Sequence, residues 1–433
     1  MKVLHNKKYL YLPLRILLIF NLTTIFLFVF GPIDWNLKNE WIVVSYLLIN
    51  LTFLYFGYTV GIKYYKKNQK TELFEKNKKT IYIILFLGLF WFLPTVYLRL
   101  GGTNFDLNEI FERMSGSFLN SAIGYNKKNE NFEIGNNSVL QFFDFFFSTF
   151  NYALFPISIL YFKKLNKLIK IIIIAIFLIE CLSWIIIGTN KGIIDMFLIF
   201  FLVGCVVDPQ LFNFNIKKLL ILILSISLIL FFFFTAVLSR FGVIENTDIL
   251  NNLDLNVLGN PLKNSSIYLD MNIGVKFAIM QFTSYLTQGY YNLGVALNEP
   301  FIWTYGFGNS WMGIFIWERF TGDNLLANTY LGQMEKNHGI DPKIAWHSIY
   351  TWLASDFTFF GVPIFIFFVG YFFARSWLDT IFKRTIFSII VFCLLGQMIF
   401  YFFANNQIFS FSFVPLCVFF TIWCINRQNF NLK

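Results

Sequence analysis

Charge is scarce in this chain. Asp, Glu, Lys and Arg make up 13% of its 433 residues, about half the share usual in a soluble domain, so there is too little polar surface to wrap so long a sequence in water. The five cysteines, Cys181, Cys205, Cys393, Cys417 and Cys424, all fall inside apolar stretches. That placement argues against a disulfide framework, a metal cluster or a thiol nucleophile, and no metal or other cofactor is expected. The first apolar stretch runs into Gly31 and Pro32 without a small-residue cleavage pattern, so it reads as a retained span and not as a signal peptide. Internal repeats and low-complexity linkers are also missing, which leaves a single membrane domain over residues 1–433 as the expectation. Of the few polar residues inside apolar stretches, Glu180, Asp195 and Gln397, with Asn405 and Asn406 at the end of one, are candidates to line a pathway. A proton-driven carrier would favour a regular chain of carboxylates there.

Apolar surface is what the chain has in abundance. Hydrophobic residues reach 57%, with 59 Phe, more than one soluble core of this length could hide. Ten stretches are apolar enough to sit in a bilayer, most of them close to the about 20 residues that cross it as a helix: Leu10–Phe30, Trp41–Ile62, Thr80–Leu98, Val139–Phe162, Leu168–Ile187, Ile193–Val207, Leu219–Val237, Trp346–Phe373, Thr385–Phe403 and Ile408–Cys424. The expected fold is therefore all-α, a polytopic membrane protein of about ten spans. Short cytoplasmic loops retain Lys and Arg. With both termini inside, that side receives Lys2, Lys7, Lys8 and Arg15, the run from Lys63 to Lys79, Lys163 to Lys170, Lys217 and Lys218, and Arg375 to Arg384. The net charge of +10 is then mainly a topology signal with some affinity for anionic lipid, not a nucleic-acid footprint. The outer side keeps two sizeable segments, an external loop at 99–138 and a long one at 238–345. In the long loop, Glu245–Ser266 is Asn-rich and reads as irregular, whereas Gly274–Leu297 and Pro300–Trp317 are apolar but broken by glycines, suited to surface or half-inserted helices.

Three local patterns carry chemistry. His347 stands at the outer mouth of the eighth stretch in the order Trp346, His347, Ser348, Ile349, Tyr350, Thr351, followed by Asp356. An imidazole there can exchange a proton near neutral pH, unless it merely satisfies a helix end. Arg99, Arg113, Arg240 and Arg319 persist outside against the charge rule, and a guanidinium grips phosphate oxygens in a fork. Arg240 and Arg319 rank first because both belong to the long loop. Five of the 11 Trp lie between Trp303 and Trp352, together with Tyr305 and Tyr350. Rigid aromatic faces suit sugars, although an interfacial belt explains part of this density.

Three segments carry a family resemblance. WHSIYTWLASDFTFFGVPIFIFFVG, beginning at Trp346, resembles the closing segment of bacterial oligosaccharide repeat unit polymerases, the Wzy-type O-antigen polymerase family. IIIGTNKGIIDMFLIFFLVG, from Ile185, resembles that family's turn between two spans, with Asn190 and Lys191 where arginine is usual. SYLTQGYYNLGVALNEPFIWTYGFGNS, from Ser284, resembles its long-loop core. The His347–Ser348 pair is also similar to a motif of the related O-antigen ligases, with Ser348 where Asn is common.

The resemblance implies a metal-independent glycosyltransferase on the outer face of the bacterial plasma membrane, making surface polysaccharide such as O-antigen or capsule. Undecaprenyl-diphosphate-linked oligosaccharide would be both donor and acceptor, and a chain-length regulator protein a possible partner. The roles that follow are His347 as base, Asp356 orienting it, Arg240 and Arg319 with Arg99 on the diphosphate, and Tyr350, Trp303 and Tyr305 on the sugars. Glu299 or Glu318 is the fallback carboxylate base. Two alternatives stand beside this expectation: an O-antigen ligase transferring glycan to lipid A core, and a lipid-linked oligosaccharide flippase, a transporter and not an enzyme.

Overall fold

The computed structural model describes residues 7–65, 73–100, 138–189, 191–207, 256–263, 271–383 and 385–431, with isolated positions between 220 and 235. In chain order the principal elements are α1 (Leu12–Phe30), α2 (Glu40–Lys63), α3 (Leu73–Arg99), α4 (Ser138–Tyr161), α5 (Lys167–Ile186), α6 (Lys191–Val207), β1 (Asn256–Val257), β2 (Asn260–Pro261), α7 (Ile273–Ala296), α8 (Trp311–Thr321), α9 (Tyr330–His338), α10 (Ile349–Leu378), α11 (Ile386–Phe400), α12 (Gln407–Phe411) and α13 (Phe413–Asn431). Among the described residues seven helices are long and apolar enough to cross a membrane: α1 to α5, α10 and α11. The chain is thus a predominantly helical, multi-pass membrane protein. α6 is shorter, and the expected tenth span is interrupted at Ser412 between α12 and α13. The expected span Leu219–Val237 lies outside the described residues except at isolated positions.

The residues form two compact units, one from Met1–Thr71 with Asp254–Lys433, the other from Glu72–Leu253. In the first, α2 and α10 pack backbone to backbone because small residues face each other. A Cβ on Gly57 would lie 1.9 Å from the Phe367 carbonyl oxygen, and one on Gly370 would lie 2.2 Å from that of Leu54. Close approach of this kind is how helices associate where lipid removes the hydrophobic drive. α11 is apolar all round and 89% of its span is buried, as a central helix must be. α1 joins it through Asn21 Nδ2 donating to Ile399 O at 3.0 Å and through Phe20 stacked on Phe400 at 4.3 Å. α10 bends at Thr358 (φ 60, ψ 163) and carries Pro363. Proline has no N–H to offer the carbonyl four residues back, and the Tyr46 hydroxyl donates to that oxygen, Phe359 O, at 2.9 Å.

The stretch read as irregular contains a short ribbon, a correction to that reading within an otherwise nearly all-α fold. β1 and β2 pair antiparallel through a turn with Leu258 at φ 51 and Gly259 at φ 78, the doubly positive pattern of a tight hairpin. Ile33 extends it by bridging Leu262.

In the second unit α3 packs on α4, where Asp144 accepts from Trp91 Nε1 at 2.9 Å and Thr95 Oγ1 at 2.6 Å. Lys191 pairs with Asp195 at 2.7 Å along α6.

Candidate functional site

The first turn of α10 is started by Ser348, whose hydroxyl accepts from Thr351 N at 3.3 Å, an N-cap in the usual chemistry. The span begins at Ile349, so His347 sits just outside it. The backbone of His347 is clamped from both sides. Its N–H donates to Asn405 Oδ1 at 3.0 Å, and its carbonyl accepts from Asn405 N. Asn405 Oδ1 also accepts from Trp352 Nε1 at 3.0 Å. α7 closes the other flank: Gln288 Oε1 accepts from Trp346 N at 3.0 Å and Asn292 Nδ2 donates to Trp346 O at 2.6 Å. Gly289 permits that approach, since a Cβ there would stand 2.9 Å from Ser348 N and 2.2 Å from Phe403 O.

The imidazole itself is wholly buried, and neither ring nitrogen has a hydrogen-bonding partner among the described residues. Burial pushes its pKa down from 6.5 to about 3, because desolvation penalises the charged form. His347 is held neutral, with one nitrogen available as an acceptor. Leaving buried polar atoms unpaired costs about 1–3 kcal/mol apiece, so the position is a weak one for stability alone.

Asp356 does a different job from orienting that ring. Its Oδ1 accepts from Thr304 Oγ1 at 2.5 Å and Gly306 N at 2.8 Å, and its Oδ2 from Asn309 Nδ2 at 2.8 Å. One carboxylate thereby gathers residues 304–309 into a loop, and α8 starts only at Trp311, after the Ser310 cap. The loop holds Tyr305 at φ 56 with its ring stacked on Trp317 at 5.0 Å and 5° and 5.0 Å from Trp303. Trp303 and Tyr305 are 57% and 53% exposed, which makes them an open aromatic platform. Arg319, on the last turn of α8, is exposed as well. Asp356 and His347 are linked indirectly: Asn406 Nδ2 donates to Asn309 O at 2.8 Å, and its neighbour Asn405 holds His347.

Other expected site residues fall elsewhere. Tyr350 is buried, its ring 5.5 Å from Phe402 and 6.2 Å from Tyr46, so it packs the interior and not the platform. Arg99, in the second unit, is paired with Glu180 at 2.9 Å, donates to Ser183 Oγ at 2.8 Å and lies 4.4 Å over the Trp184 ring. Arg240 and Arg113 lie outside the described residues. Of the fallback carboxylates, Glu318 accepts from Leu326 N at 3.4 Å. Glu299 is engaged by His338 Nε2 at 2.7 Å and Asn337 Nδ2 at 2.8 Å. The partly exposed His338 was not singled out by sequence, since its partner stands 39 residues away; Asn405 was noted as a polar residue at the end of a span, but not as the clamp on His347, 58 residues before it. Among the described residues no group of three His, Cys, Asp or Glu is arranged to hold a metal ion.

No family model matches the chain, and no curated protein or solved structure shows similarity to it.

Proposed function

We propose that this multi-pass protein is a glycosyltransferase that joins lipid-diphosphate-linked oligosaccharide repeats on the outer face of a bacterial plasma membrane, with ten spans and both termini cytoplasmic. The observation that carries the reading is His347, a sealed neutral imidazole with two unpaired nitrogens, beside a loop that presents an exposed aromatic platform. A sugar hydroxyl donating to the imidazole would supply the missing bond. That oxygen attacks the donor's anomeric carbon, the bond from this carbon to the diphosphate breaks, and the hydroxyl proton passes to His347. A diphosphate dianion nearby offsets desolvation and raises the imidazole's basicity when the proton must be taken. Trp303, Tyr305 and Trp317 would stack against sugar faces, with Arg319 as a candidate diphosphate ligand.

The test is reconstitution of purified protein with a lipid-diphosphate-linked repeat as sole substrate. Elongated glycan is expected from the wild type, and none from His347→Ala that remains folded in the membrane. Elongation by His347→Ala refutes the base assignment. Elongation only on addition of lipid A core identifies a ligase, and movement of unmodified repeat across the bilayer without new glycosidic bonds identifies a flippase. The Glu299–His338 pair is a second candidate base because His338 reaches solvent; activity in His347→Ala that disappears in His338→Ala would select it.

A further inference from the structure

The apolar stripe of α8 faces away from the protein. Met312, Phe315, Ile316, Arg319 and Phe320 follow the i, i+3, i+4, i+7, i+8 spacing that gathers residues on one side of a helix, and all but Arg319 are apolar. On a helix that borders water, such a stripe turns inward and the polar side turns out. Here Phe315 and Phe320 are 65% and 86% exposed. The one buried residue of α8 is Ile314, on the other side of the helix together with Trp311, whose ring meets that of Trp352 at 5.4 Å. An outward row of large apolar side chains on so short a helix is a surface that water disfavours.

What covers that stripe follows from where α8 sits. Trp352, its ring partner, belongs to the first turn of α10, whose span begins at Ile349, and α8 also packs against α12. The neighbouring surface of these elements is of the same kind. Phe360 of α10 is 91% exposed, and Phe357 of α10 and Phe411 of α12 are exposed as well. Phe357, Phe365, Phe409 and Phe413 form one row across α10, α12 and α13, with ring centroids 5.4, 6.1 and 5.6 Å apart. On a multi-pass protein an outward row of this kind meets acyl chains. We propose that α8 is half-inserted in the bilayer, its outward stripe among the acyl chains of the leaflet at the Ile349 end of α10. Arg319, on the same stripe, lays its apolar stem there and carries its guanidinium up to the lipid phosphates. Asp323 and Asn324, exposed beyond the Gly322 cap, lead the chain back to water. Because Tyr305 stacks on Trp317 of α8, insertion sets the aromatic platform at headgroup depth. The proposal is independent of the reaction assigned to His347.

Full-length protein carrying p-benzoylphenylalanine in place of Phe315 or of Phe320, in nanodiscs of phosphatidylcholine and phosphatidylglycerol, provides the test. On irradiation the ketone takes hydrogen from a neighbouring C–H group and joins to that carbon, so intact mass identifies what lies beside it. Phospholipid adducts are expected at 315 and 320, and none when the same residue replaces Glu335, exposed on α9. A cross-linked dimer assigns the stripe to a second copy, and a cross-link within the chain assigns it to another of the protein's own segments; either overturns the proposal. Absence of any adduct at 315 and 320, or equal lipid adduct at 335, overturns it too. Hydroxyl-radical footprinting of the unaltered protein in the same nanodiscs serves if neither variant folds. Phe315 and Phe320 should then stay unoxidised while His338, 43% exposed at its side chain, is modified, and oxidation of both phenylalanines alongside His338 is contrary to insertion.

Discussion

Removing the carboxylate of Asp356 tests whether a single side chain builds the aromatic platform. In Asp356→Ala the Gly306 amide loses an anionic acceptor 2.8 Å away, and Thr304 Oγ1 and Asn309 Nδ2 lose theirs. A hydrogen bond to a charged group contributes about 1.5–3 kcal/mol. At about a factor of ten for each 1.4 kcal/mol, the Gly306 amide should exchange with solvent about ten- to a hundredfold faster. Tyr305 is held at φ 56, a backbone state that costs about 1–3 kcal/mol away from glycine. Once released, its ring should leave Trp317. Hydrogen exchange followed by mass spectrometry on peptides covering residues 300–317 reads both effects, with α2 peptides as the internal reference. Asp356→Asn keeps one carbonyl oxygen and should fall between wild type and alanine. Unchanged exchange at 304–309 in Asp356→Ala would falsify the anchoring role. Equal acceleration in α2 would show general loosening and refute it too.

Arg99→Ala leaves Glu180, 6% exposed, charged without its partner and should cost about 3–5 kcal/mol, read as a lowered thermal midpoint. Adding Glu180→Gln should restore most of it with activity intact; a stable but inactive double variant would return Arg99 to the substrate. His347 imposes a pH dependence. Its pKa is about 3 in the folded protein against an ordinary 6.5, so between these values the unfolded chain binds more protons. Stability is complete above about pH 6.5 and falls as pH drops toward 3, by about 3 kcal/mol at pH 4.5. His347→Gln should flatten that part of the midpoint-versus-pH curve, and a parallel curve would contradict the burial. Gly370→Val places a Cβ 2.2 Å from the Leu54 carbonyl and should cost at least about 1–3 kcal/mol. Wild-type yield of monodisperse protein from that variant would argue against backbone contact between α2 and α10.

Apolar run length made most spans legible because the bilayer demands about 20 residues whatever surrounds them, and the Ser348 cap is equally local, three residues before the Thr351 amide that donates to it. The platform's anchor was not. Asp356 stands nine residues after His347 and about fifty after the loop that it gathers, and sequence proximity suggested the nearer partner. Arg99 misled for the same reason: the charge rule marks it as out of place, but Glu180, 81 positions on, is visible as its counter-ion only once α3 and α5 are packed. The charge rule fixes where Lys and Arg collect along the chain and says nothing of which carboxylate they meet in space, as where Lys383 and Arg427 share Asp379.

Three of the five non-glycine residues with positive φ among the described residues lie at or near the candidate site. Tyr305, Thr358 and Asn405 hold φ of 56, 60 and 47 without being glycine, and such states persist where surrounding bonds over-determine them. Asp356 fixes the loop around Tyr305, while the main chain of His347 and the indole of Trp352 fix Asn405. The bonds that hold Asn405 in its left-handed conformation are thus the ones that clamp the main chain of His347, so the backbone geometries of the two residues are coupled.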